Sequence, residues 1–170
     1  EDNPRSALAH YELGVLYGAG FDRVVGIDLV SPEPGILAMD MHTLTFPDRS
    51  FDVVFACHSL EHAYDLDAVL RELARVTTPG GVWVIEVPIR FPLTAVDRQD
   101  VGSVNGLLAR CAPWVSRELA AEESADHTAA RAVLEVGGCR HERPGVDSRA
   151  AGQSRHSQEE LSRVGGTIAR

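Results

Sequence analysis

The chain has 170 residues, 44% of them hydrophobic, enough for one domain with a sizeable core. Its 16 basic residues, every one Arg, face 25 acids for a net charge of -9, which argues against a nucleic-acid-binding surface. No apolar run approaches the roughly 18 residues of a bilayer span, and Glu1-Asp2-Asn3-Pro4-Arg5 lacks the layout of a signal peptide, so a soluble, cytoplasmic protein with no membrane or nucleic-acid partner is expected.

Ala7, Leu8, Tyr11, Leu13, Val15 and Leu16 predict a first helix over about residues 4–17, ended by Gly18 and Gly20. Apolar runs at 23–28, 51–56 and 82–87 read as strands, with a shorter one at 36–39. Between the second and third of the long runs, Leu66, Val69, Leu70, Leu73, Ala74 and Val76 recur at helical spacing; Asp65 and Asp67 mark the start and Pro79-Gly80-Gly81 the end. This is one strand-helix-strand crossover. A helix is expected at 104–112, and two antiparallel strands at 114–120 and 129–136 close the sheet edge. The alternation predicts an α/β fold in which helices cover a doubly wound, mostly parallel sheet.

Composition shifts near Gly137-Gly138. Residues 1–137 hold 10 Arg and 21 acids, whereas 138–170 hold 6 Arg, 4 acids and no aromatic residue, so the domain is expected at 1–137 and a disordered tail at 138–170. Cys57, Cys111 and Cys139 are odd in number and widely spaced, which fits thiols better than a disulfide framework or a zinc motif.

Several polar residues fall where parallel strands end, on the edge at which open sheets bind ligands. Asp28 closes the first strand and offers two acceptors to the adjacent hydroxyls of a ribose; the alternative is a turn cap through Ser31. Asp40 and Met41 follow the short run, where a carboxylate can accept from an adenine amine and a thioether can lie against the purine, or else serve as a loop acid and a core Met. His58 in Cys57-His58-Ser59-Leu60-Glu61-His62 leaves the 51–56 strand directly and faces a ligand best. His62 is expected to bond backbone or Asp65. The four-residue spacing of the two His suggests a metal pair only weakly, because no third ligand is evident, and no metal site is expected.

Taken together, Val24-Val25-Gly26-Ile27-Asp28, Met39-Asp40-Met41-His42, Leu44-Thr45-Phe46-Pro47-Asp48-Arg49-Ser50-Phe51-Asp52-Val53-Val54, Leu60-Glu61-His62 and Arg75-Val76 through Pro79-Gly80-Gly81 resemble the class I S-adenosylmethionine-dependent methyltransferases of the small, type 11 kind. The resemblance implies a Rossmann-like, seven-stranded methyltransferase fold with an antiparallel edge hairpin. It also implies S-adenosylmethionine as cofactor, held at its ribose by Asp28 beside Leu29 and framed at its adenine by Asp40 and Met41, with His58 at the methyl end. The methyl acceptor is expected to be a small molecule read by the loop at 91–104, with His58 as the deprotonating group and Glu61 as a poorer second. The family's opening strand and Gly-rich loop have no counterpart before Ser6, so the fold is expected to be N-terminally incomplete and the chain part of a longer protein. A non-catalytic methyltransferase-like binding domain is the alternative, separated from the enzyme by that missing loop.

Truncation at Gly138 is expected to leave the thermal midpoint of the chain nearly unchanged, as a melting curve of the shortened protein would report. A large drop would mean that the tail packs on the domain.

Overall fold

The computed structural model describes residues 20–21, 24–30 and 35–137. Among them are six strands, β1 (Gly26–Asp28), β2 (Ile36–Ala38), β3 (Phe51–Cys57), β4 (Thr77–Pro88), β5 (Val115–Glu123) and β6 (Ala129–Val136). Two helices, α1 (Leu66–Val76) and α2 (Val104–Cys111), and a single 3₁₀ turn at Leu60–His62 complete the set. The expected helix over 4–17, Ser31 and the tail at 138–170 lie outside the described residues.

Helix α1 forms where the periodicity puts it. The Asp65 side chain accepts from the Ala68 N–H at 3.0 Å, satisfying one of the amides that a helix start leaves without a partner. Leu66, Val69, Leu70, Leu73, Ala74 and Val76 are all buried on one face. They pack with Phe51, Val54, Trp83, Ile85 and Val87 in the main core cluster, each large side chain contributing on the order of 1.5–3 kcal/mol. Thr77 ends the helix and joins it to the sheet: its hydroxyl donates to Leu73 O at 2.6 Å and accepts from Trp83 Nε1 at 3.0 Å.

The sheet is mixed, and β1–β2 stand apart from the rest. β3, β4, β6 and β5 form one sheet in that order, parallel between β3 and β4 and antiparallel across β4–β6 and β6–β5. β1 and β2 pair parallel, Asp28 opposite Ala38, as a separate two-stranded sheet. Among the described residues no strand joins β1 to β3, the place where the resemblance leaves a strand unaccounted for. The edge hairpin matches expectation.

One boundary needs correction. Pro79-Gly80-Gly81 reads as a helix stop followed by a strand at 82, yet β4 already begins at Thr77, opposite Phe51. The register then jumps to Val53 opposite Val82, so Pro79-Gly80-Gly81 is a bulge inside the strand rather than a loop before it. Gly81 lies so close to β3 that an added Cβ would come within 2.8 Å of Asp52 O.

The segment between β2 and β3 has no regular structure and is held by Arg75, on the last turn of α1. Its Nη1 donates to Phe46 O and Asp48 Oδ1, and Nη2 donates to Leu44 O, all at 2.8 Å. Nε and Nη2 also clasp both oxygens of Glu72 at 2.9 and 2.8 Å. Glu72 in turn accepts from the Leu44 N–H, so the motif at 44–54 and the pair Arg75-Val76 form one structural unit. Arg75→Lys, which cannot reproduce the planar fork, is expected to lower unfolding free energy by about 2–4 kcal/mol in a denaturant titration, nearly as much as Arg75→Ala. Full retention of stability in Arg75→Lys would mean that charge alone holds the segment.

Candidate functional site

Asp28 ends β1 with its backbone in register: Asp28 O accepts from Met39 N at 2.8 Å, continuing the pairing beyond β2. Its Oδ1 takes the Val30 N–H at 3.1 Å, so the turn-capping role exists, through Val30. Among the described residues this side chain is bonded through Oδ1 alone. Leu29 and Val30 beside it are 70% and 72% exposed, an uncovered apolar surface next to a carboxylate.

Asp40 is more tightly engaged than the sequence suggests. Its Oδ1 accepts from the His42 backbone N–H at 2.9 Å and lies 2.6 Å from His42 Nδ1. These bonds outweigh desolvation and hold the Asp40 carboxyl below its ordinary range. The other ring nitrogen of His42, Nε2, accepts from the Tyr64 and Asp65 amides at 3.2 and 3.4 Å, which requires the proton on Nδ1. Tyr64 stacks on the His42 ring at a centroid distance of 3.5 Å. His42 therefore ties the loop after β2 to the turn after β3, bringing the carboxyl ends of the two sheets together. Met41 is partly buried against the core, the bland alternative for it, with Met39 and Ile27 doing the same.

His58 follows β3 with a positive φ of 47°, which turns its side chain at the strand end. Its N–H donates to Glu86 O at 2.9 Å, and Nε2 lies 3.2 Å from Glu86 Oε1. Burial pushes the Glu86 carboxyl up, but Arg131, whose Nε donates to Oε2 at 2.5 Å, and His58 pull it below its ordinary value. Glu86 thus stays ionised and aligned.

Glu61 is the residue whose environment the sequence hides most. Its side chain is only 5% exposed and Oε2 has no hydrogen-bond partner among the described residues, while Oε1 lies 3.9 Å from His58 Nδ1 and 3.7 Å from His62 Nε2. The cover is the loop at 91–103, which docks on the backbone of the 3₁₀ turn: Arg98 and Gln99 donate their N–H groups to Glu61 O at 2.7 and 3.0 Å, and Gln99 Nε2 donates to Ala63 O at 3.0 Å. His62 pairs with Asp97 of this loop at 3.0 Å; Asp65, the expected partner, instead caps α1. Asp100 serves the loop itself, accepting from Arg90 and Gly102 amides.

Residues 15–85 match a family model described as a methyltransferase domain, a stretch that contains Asp28, Asp40, Met41 and His58. Over this stretch the chain is similar to the methyltransferase domain family. It is 48% identical over 48 residues to the malonyl-[acyl-carrier protein] O-methyltransferase of Halorhodospira halophila, covering 28% of this chain and 16% of that protein. To the demethylmenaquinone methyltransferase of Thermobifida fusca it is 37% identical over 84 residues, 49% of this chain and 34% of the relative. The chain thus spans about a third or less of the length of these curated relatives. Among solved structures, an S-adenosylmethionine-dependent methyltransferase from Mesorhizobium loti superimposes with a TM-score of 0.56 at 15% identity, over 74% of this chain and 85% of that one. The methyltransferase fold, with its mixed sheet and covering helices, is therefore the fold of this chain.

Burial pushes the Glu61 carboxyl up from its ordinary value near 4.5, against the opposing pull of its own backbone and of His62 and His58. An acid raised on folding contributes stability below its unfolded pKa and loses it as pH rises through the folded value. Glu61→Gln, always neutral, is expected to raise the thermal midpoint at about pH 8 and to change it little at about pH 4. A midpoint lowered at the higher pH would mean that the fold uses the ionised carboxylate.

Proposed function

We propose that the chain carries the cofactor-binding part of an S-adenosylmethionine-dependent methyltransferase acting on a small-molecule acceptor. The observation that carries this reading is the family match over the stretch whose polar residues stand at the carboxyl ends of β1, β2 and β3. Asp28 has a carboxylate oxygen to offer a ribose diol, and the exposed Leu29 gives the nucleoside an apolar wall. Asp40 is held ionised by His42, as an acceptor for an adenine amine must be, and Met41 lies in the same loop.

When bound, S-adenosylmethionine would supply the methyl group from its positive sulfonium, the sulfur leaving as the neutral thioether of S-adenosylhomocysteine. Transfer of this kind needs an aligned acceptor more than strong acid or base, so positioning carries most of the acceleration. His58, kept in place by Glu86, takes a proton only if the acceptor is a hydroxyl or a protonated amine. The loop at 91–103, pinned to Glu61 and Ala63, supplies the wall that reads the acceptor. No helix among the described residues is long and apolar enough to cross a membrane.

Calorimetric titration with S-adenosylhomocysteine, the demethylated product, tests this. Asp28→Ala is expected to weaken binding by about 1.5–3 kcal/mol, the scale of a charge-assisted hydrogen bond. An unchanged affinity would remove Asp28 from the site.

A further inference from the structure

The parallel register of β3 and β4 sets Cys57 directly opposite Glu86, so both side chains leave the same face of the sheet. His58, turned by its positive φ, comes back over the pair. One ligand atom from each of the three residues lies within 4.8 Å of the others, and His58 Nε2 and Glu86 Oε1 are already 3.2 Å apart, a separation that fits two ligands of one ion. We propose that Cys57, His58 and Glu86 form a three-ligand site for a zinc-class divalent cation, with its fourth position open.

The donor set is one such a cation favours: a thiolate, an imidazole nitrogen and a carboxylate oxygen. Arg131 holds the second oxygen of Glu86 and leaves Oε1 facing His58. Behind His58, Nδ1 points to within 3.9 Å of buried Glu61, whose Oε2 has no hydrogen-bond partner among the described residues. At that distance the carboxyl makes no hydrogen bond to Nδ1 and acts on a cation-bound imidazole through its charge alone. His58 remains 41% exposed at its side chain, which leaves an ion a way in. On binding, the Cys57 thiol gives its proton to solvent and ligates as thiolate. The proposal goes beyond the methyl-transfer reading and does not depend on it: were both right, the cation at the open position would lower the pKa of a bound acceptor hydroxyl, replacing His58 as the deprotonating group.

Cobalt(II) titration of the full 170-residue chain under anaerobic conditions tests the site, because a thiolate-bound cobalt gives a sulfur-to-metal charge-transfer band. The expected result is one equivalent bound with that band, lost in Cys57→Ser and kept in Cys139→Ser. Affinity should fall at least about tenfold in His58→Ala and in Glu86→Gln while circular dichroism stays that of the parent. A spectrum without saturation, a band that survives Cys57→Ser, or an affinity indifferent to His58 and Glu86 would overturn the proposal. Calorimetry with S-adenosylhomocysteine on the same metal-free samples reports separately on the methyl-transfer reading.

Discussion

Five hydrogen bonds from one guanidinium, that of Arg75, decide where the irregular chain between β2 and β3 runs. Residues 44–50 form no helix or strand, so their carbonyls must find donors elsewhere, and two of them find Arg75. Glu72 is pulled below its ordinary pKa chiefly by this hydrogen bonding and keeps its charge beside the arginine. Where that segment ends, Arg49 and Ser50 donate to Arg75 O and Val76 O, delivering the chain into β3 in register. Every candidate residue downstream, from Cys57 to His62, inherits its position from that entry point.

A second tie works at the opposite end of the same strands. His42 is bonded through both ring nitrogens, to Asp40 on one side and to the 64–65 amides on the other, and is stacked on Tyr64. Because β1–β2 and the four-stranded sheet share no strand pairing among the described residues, this contact and the packing of Ile27, Met39 and Met41 hold the two parts together. Asp40 is thereby bound to a structural task, and its lowered pKa belongs to that task.

Much of the fold was legible because its elements are amphipathic in isolation: the buried face of α1 repeats at helical spacing and β6 alternates along most of its length, whereas β5 has no buried residue and gave a weaker signal. Several features were not legible. Pro79-Gly80-Gly81 has the composition of a turn, and only pairing with β3, some 27 residues earlier, turns it into a bulge. Glu61 reads as a second-choice base beside His58, and its burial is not legible because the amides of Arg98 and Gln99 that bond its backbone carbonyl come from a distant part of the chain. The same holds for His62 and Asp97, and for Cys57 and Glu86, which no local pattern links.

The proposed cofactor edge is assembled from the ends of β1, β2 and β3. Heteronuclear NMR of the labelled 170-residue chain, titrated with S-adenosylhomocysteine, reads that edge residue by residue. The account predicts saturable shifts of the amides at 28–30, 39–42 and 57–59, with the β5–β6 hairpin left unmoved. Shifts confined to the hairpin, or none that saturate, would contradict it.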